Sequence, residues 1–135
     1  MGPSAWVLSA MIDDYHRSWA LRYLREAKAE LKAAKKIPYM ASSLVIEAIK
    51  KARNAIYYSL GEPAFIEMAI REAVANNQFE SDPILKCLIE IETFYAQILE
   101  TDEIDEEKAM KDAENIIKLA SNIVEVILGE KVEED

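Results

Sequence analysis

The chain of 135 residues has one cysteine, Cys87, and one histidine, His16. A lone thiol excludes an internal disulfide framework and any Cys-rich metal site, and a lone imidazole excludes paired-histidine metal ligation and histidine dyads. No glutamate is followed by histidine at the Glu-x-x-His spacing of di-metal carboxylate bundles, so that class is excluded as well. Glycine is scarce, and neither G-x-G-x-x-G nor G-x-x-x-x-G-K-[ST] can be built from Gly2, Gly61 and Gly129. No catalytic constellation, metal site or cofactor is therefore expected. Long apolar runs are absent too: none approaches the ~18 residues of a transmembrane helix, so no membrane partner is expected. The opening MGPSAWVLSAMI has neither a basic n-region nor a small-residue cleavage site before Asp13-Asp14, which argues against a signal peptide and for a cytoplasmic location.

What is present points to helix. Ala, Ile, Leu, Glu and Lys dominate, and the length suits one domain. Breakers fall at Pro38, Gly61-Glu62-Pro63, residues 76–83, residues 101–105 and Gly129, and each segment between them has helical periodicity. The expected fold is all-α: an antiparallel up-and-down four-helix bundle with an additional short helix, five in all. Residues 1–12 form an apolar N-terminal extension and residues 130–135 an acidic tail.

The apolar stripes are specific. The first helix, from about Asp13 to Lys36, buries Ala20, Leu24, Ala27, Leu31 and Ala34 on a 4-3-4-3 spacing. The second, from near Pro38 to Gly61, carries a small stripe (Ala41, Ala48, Ala52, Ala55, Ser59) beside a bulky one (Val45, Ile49, Ile56, Leu60), which predicts the most buried element. The short third helix turns Phe65, Ile66, Ala69, Ile70 and Ala73 inward. The fourth uses Ile84, Leu88, Ile91, Tyr95 and Ile98, with Cys87 as a small hydrophobe, and the last uses Ala109, Ala113, Ile116, Ala120, Ile123 and Ile127.

Net charge is −9, which opposes indiscriminate nucleic-acid binding. It is unevenly spread: residues 1–60 carry 10 basic and 5 acidic side chains, residues 61–135 carry 6 and 20. Such asymmetry fits solvated helix faces, complementarity within or between chains, or a basic surface kept for an anion. Arg22, Arg25, Lys32 and Lys36 lie opposite the apolar stripe of the first helix and are the candidate anion- or nucleotide-binding surface, with Tyr15, Trp19 and Tyr23 interleaved. Trp19 and Tyr23 are also spaced as a packing pair, and His16 reads as an exposed or packing residue. Trp6, Val7, Leu8, Met11 and Ile12 are a candidate partner surface if they do not pack on their own bundle.

The run RYLREAKAELKAAKKIPYMASSLVIEAIKKARNAIYYSLG resembles the first helical hairpin of HEPN-type domains, and EIDEEKAMKDAENIIKLASNIVEVI is similar to that family's last helix. Small archaeal Ala-rich helical bundles of unknown function share a comparable hairpin. The HEPN resemblance implies a four- or five-helix bundle, commonly a homodimer, that binds or acts on RNA or nucleotides. It also implies a minimal nucleotidyltransferase partner where members form toxin–antitoxin pairs. Nuclease members place arginine and histidine four to six residues apart, late in the bundle. Here Arg53 and Asn54 match that motif in the second helix and Tyr58 stands at the histidine position. A ribose hydroxyl needs a proton acceptor that titrates near neutrality, and tyrosine, at ~10, is a poor one. The expectation is a non-catalytic HEPN-like bundle, a homodimeric interaction or nucleotide/RNA-accessory module. A metal-independent RNase using Arg53, Asn54 and Tyr58, or a structural subunit docking through residues 6–12, are the alternatives.

Overall fold

A computed structural model describes residues 14–76, 83–100 and 105–129. The described residues form five α-helices and no strand: α1 (Asp14–Lys36), α2 (Ala41–Leu60), α3 (Pro63–Ala75), α4 (Pro83–Glu100) and α5 (Glu106–Leu128). A 3-10 turn, Pro38–Met40, joins α1 to α2.

Local chemistry sets the ends. Asp14 in the first turn of α1 and Lys35 and Lys36 in its last complement the macrodipole. Gly61 stops α2 at φ 145°, a conformation that L side chains rarely adopt, while its N–H still bonds to the Tyr57 carbonyl at 3.0 Å. Pro63 opens α3 where a missing N–H costs nothing. Asp105 caps α5, its carboxylate accepting from the Lys108 N–H at 3.2 Å, and Gly129 ends α5 in the left-handed region at φ 67°.

The tight part of the molecule is α1, α2 and α5. α1 and α2 run antiparallel, since Glu30 of the first meets Lys51 of the second while Tyr23 meets Tyr58. α5 is antiparallel to α1: Arg17 donates to the Leu128 carbonyl at 3.3 Å and Lys35 pairs with Glu114 at the other end. All five residues expected inside on α1 are buried, as are Ala41, Val45, Ala48, Ile49, Ala52, Ala55, Ile56 and Ser59 of α2. Alanine stripes let helix axes approach closely, and α2, which touches every other helix, is the central element.

The apolar faces of α3, α4 and α5 differ in part from their sequence patterns. On α3 only Ile70 and Ala73 are buried; Phe65 is 70% exposed and Ala69 lies outside. This helix meets α2 and α4 along one edge, so a narrow strip suffices. On α5 the buried set is Ala109, Ala113, Ile117, Ala120, Ser121, Val124, Ile127 and Leu128, with Ile116 and Ile123 only half-buried. A helix seated against two neighbours buries a broader arc than a single 4-3 stripe. Ile84 and Tyr95 of α4 are likewise half-buried, with Cys87, Leu88, Ile91 and Ile98 beneath them.

Candidate functional site

The Arg53-Asn54-Tyr58 motif is taken apart by α2 itself. Residues 53 and 58 are five apart, roughly 140° around an α-helix. Arg53, 15% exposed, turns toward α4: its guanidinium lies 3.4 Å from the Glu92 carboxylate and 4.8 Å from the centre of the Tyr95 ring. The buried Tyr57 hydroxyl donates to the same Glu92 oxygen, so one carboxylate ties two residues of α2 to α4. Burial above all, then the bond to Glu92, pushes the Tyr57 hydroxyl far above the ordinary tyrosine range. Arg53 Nε is buried without a hydrogen-bond partner.

Beside this network a cleft of about 500 Å³ opens between α2, α3 and α4, with Glu67, Ile70, Arg71 and Val74 on its α3 wall. Its two arginines, 53 and 71, face two glutamates, 67 and 92, which leaves it no net charge to attract an anion.

Tyr58 belongs to a different place. Its ring stacks on Tyr23 (centroids 5.6 Å, 22°) and on Trp19 (6.2 Å, 27°), and lies 6.4 Å from Tyr15. His16 joins the group, 5.8 Å from Tyr58, with Nε2 3.2 Å from the Glu62 carboxylate. Trp19 and Tyr23, spaced as a packing pair, and His16, read as an exposed or packing residue, all join this cluster. Desolvation first, then the neighbouring Tyr15 and Tyr23, raises the Tyr58 hydroxyl above its usual value. A hydroxyl shifted upward is a weaker proton acceptor source near neutrality, and Arg53 is not beside it.

The cluster is not sealed. Tyr15 is 59% exposed, and the Arg22 guanidinium lies 4.9 Å above the Trp19 ring, its side chain 64% exposed and 3.8 Å from Glu26. From Arg22 the exposed cations Arg25, Lys32 and Lys36 continue along the same face of α1 for ~21 Å. Among the described residues these three have no ion-pair partner, whereas three other cations are paired across helices: Lys35 with Glu114, Lys51 with Glu30 and Glu26, Arg53 with Glu92. Asn54 is half-buried on α2.

Sequence reading placed the cation stripe correctly on the outside but missed Tyr57, Glu92 and Tyr95 as partners of Arg53. The signal was available only in part: Tyr57 is polar-tipped and sits next to buried Ile56. Trp6, Val7, Leu8, Met11 and Ile12 lie outside the described residues. No group of three or more potential metal ligands occurs among the described residues, and no described helix is long and apolar enough to cross a membrane. No family model, curated protein or solved structure matches the chain.

Proposed function

We propose that this chain is a non-catalytic accessory module that binds single-stranded RNA or a similar nucleotide polyanion on the exposed face of α1. The architecture we propose for it is the HEPN-like up-and-down bundle, with α1, α2, α4 and α5 as the four long helices, α3 across one end, and a cytoplasmic homodimer as the working unit. One observation carries the functional reading: a line of exposed cations without partners, Arg25, Lys32 and Lys36, begins at Arg22 stacked on Trp19, at the edge of a five-ring aromatic cluster. Cations that track a phosphate chain next to rings that accept bases are the two components of single-strand binding. The net charge of −9 restricts such binding to this face. The separation of Arg53 from Tyr58 leaves the RNase alternative without a paired acid and base.

The test is anisotropy of a labelled single-stranded RNA at several salt concentrations. Wild-type protein binds at low salt, and the variant Arg25→Ser/Lys32→Ser/Lys36→Ser lowers the slope of log K against log salt by about 2, at ~0.7 per phosphate contact on a single strand. Trp19→Ala weakens binding without changing that slope, because stacking releases no counterions. Absence of binding at low salt, or a triple variant with the wild-type slope, removes the proposal.

A further inference from the structure

The cleft between α2, α3 and α4 has charges of both signs on its α3 wall. Glu67, Ile70, Arg71 and Val74 occupy positions i, i+3, i+4 and i+7, one face of the helix, and that face borders the cleft. A face at this spacing, set against two other helices, ordinarily closes on them with apolar side chains. Here two of its four positions are charged, and about 500 Å³ stays open in front of them. Across the opening lie Arg53 and Tyr57 of α2 and Glu92 of α4. The volume falls within the ~300–1,000 Å³ of small-molecule sites.

These charges do not satisfy one another. Glu67 and Arg71 stand in the order and at the spacing that favour an ion pair along a helix, yet among the described residues neither has an ion-pair partner. The Glu67 carboxylate is close enough to the Tyr57 hydroxyl to add to its upward shift, so its charge acts within the cleft. On the floor, Tyr57 and Arg53 both reach Oε1 of Glu92, which leaves Oε2 for a further donor. Arg53 has a fork of N–H donors but pairs with Glu92 alone, at 3.4 Å, and its buried Nε has no acceptor. The cleft therefore offers cation and anion together, beside apolar surface from Ile70 and Val74. With no net charge it favours neither a simple anion nor a simple cation, and it is matched only by a molecule that carries both. We propose that the cleft binds a small zwitterion, a free α-amino acid with an apolar side chain: its carboxylate on Arg71 and Arg53, its ammonium on Glu67 and Glu92, its side chain against Ile70 and Val74. The site shares no residue with the α1 stripe, so it stands or falls apart from RNA binding.

The experiment is calorimetric titration of the full chain with L-leucine and L-phenylalanine, and with two leucine derivatives that each lack one charge. At least one of the amino acids binds with a saturable isotherm. N-acetyl-leucine or N-acetyl-phenylalanine, without the ammonium, and the corresponding amide, without the carboxylate, bind about tenfold more weakly or worse, the loss of one charge-assisted contact. Glu67→Gln and Arg71→Gln change exposed positions of α3, and an unchanged thermal midpoint without ligand confirms that both fold. They separate the two ends of the ligand. Glu67→Gln reduces the preference for the amino acid over its N-acetyl form and leaves the preference over the amide; Arg71→Gln does the reverse. No binding of either amino acid, derivatives that bind as tightly as the zwitterion, or either variant with wild-type discrimination overturns the proposal; the second outcome reduces the cleft to an apolar surface.

Discussion

α2 is held on its two sides by different chemistry. Toward α1 and α5 it presents small and branched apolar residues that are almost wholly buried, Ala48, Ile49, Ala52, Ala55 and Ile56 among them. Toward α3 and α4 it presents Arg53 and Tyr57, tied through Glu92, beside a cleft of about 500 Å³. The first side gains from many close contacts, each weak, and loses in proportion to any change of volume. The second gains from a few directional contacts and has room around them. Substitutions should therefore separate the two sides by size of effect.

The largest loss is expected on the apolar side from Leu24→Ala. Leu24 is fully buried, and truncation should cost about 2–5 kcal/mol, transfer and cavity together. Ala52→Leu, also at a fully buried position, should cost about 1–3 kcal/mol through overpacking. Urea unfolding with an unchanged m-value measures both. If Ala52→Leu left the midpoint in place, the close approach of helices at α2 would be wrong.

On the polar side the informative change is Tyr57→Phe, because it tests both the network and its titration. At neutral pH it should cost about 0.5–1.5 kcal/mol, one hydrogen bond, with Glu92 still paired to Arg53. Alkali adds a second readout. Tyr57, Tyr58 and Cys87 are raised above their ordinary values, each by burial first, and Lys51 is raised by its bond to Glu30 first. All four hold their protons more tightly in the folded chain. As pH climbs past about 8.5 for cysteine and about 10 for tyrosine and lysine, the unfolded chain releases protons that the folded chain keeps. Stability is thus complete below those values and declines above them. The thermal midpoint should fall steadily from pH 8 to 11, and Tyr57→Phe should make that fall shallower. A midpoint flat to pH 11 would contradict the burial of these groups.

The same division explains which parts of the fold could be read in advance. α1 has one neighbouring side and one solvent side, so its 4-3 spacing mapped directly onto Ala20, Leu24, Ala27, Leu31 and Ala34. α2 is enclosed on several sides, and no single stripe marks Tyr57 as buried or Arg53 as half-enclosed. Their partner Glu92 is on another helix, and a pairing of that kind leaves no local periodicity to detect. α5 hid its register for a related reason: Ile116 and Ile117 are both apolar, and only the position of two neighbouring helices decides that Ile117 is the buried one. The cation stripe was legible because exposure on a helix with a clear apolar face follows from spacing alone. Its lack of partners was not, since any acidic helix could have crossed it.

The smallest expected effect is the sharpest test of the looser side. Phe65 and Met68 are large, apolar and 70% and 57% exposed on α3. Their inward counterparts, Ile70 and Ala73, already make the buried strip. Phe65→Gln and Met68→Gln remove surface that stays in water on folding, so each should move stability by no more than about 0.5 kcal/mol. A loss well above that from either residue would mean that the outer face of α3 is covered in solution. The contrast between the two sides of α2 would then lie in the partner that covers α3, with the homodimer as the first candidate: sedimentation of Phe65→Gln, as monomer or as the wild-type species, tells the two cases apart.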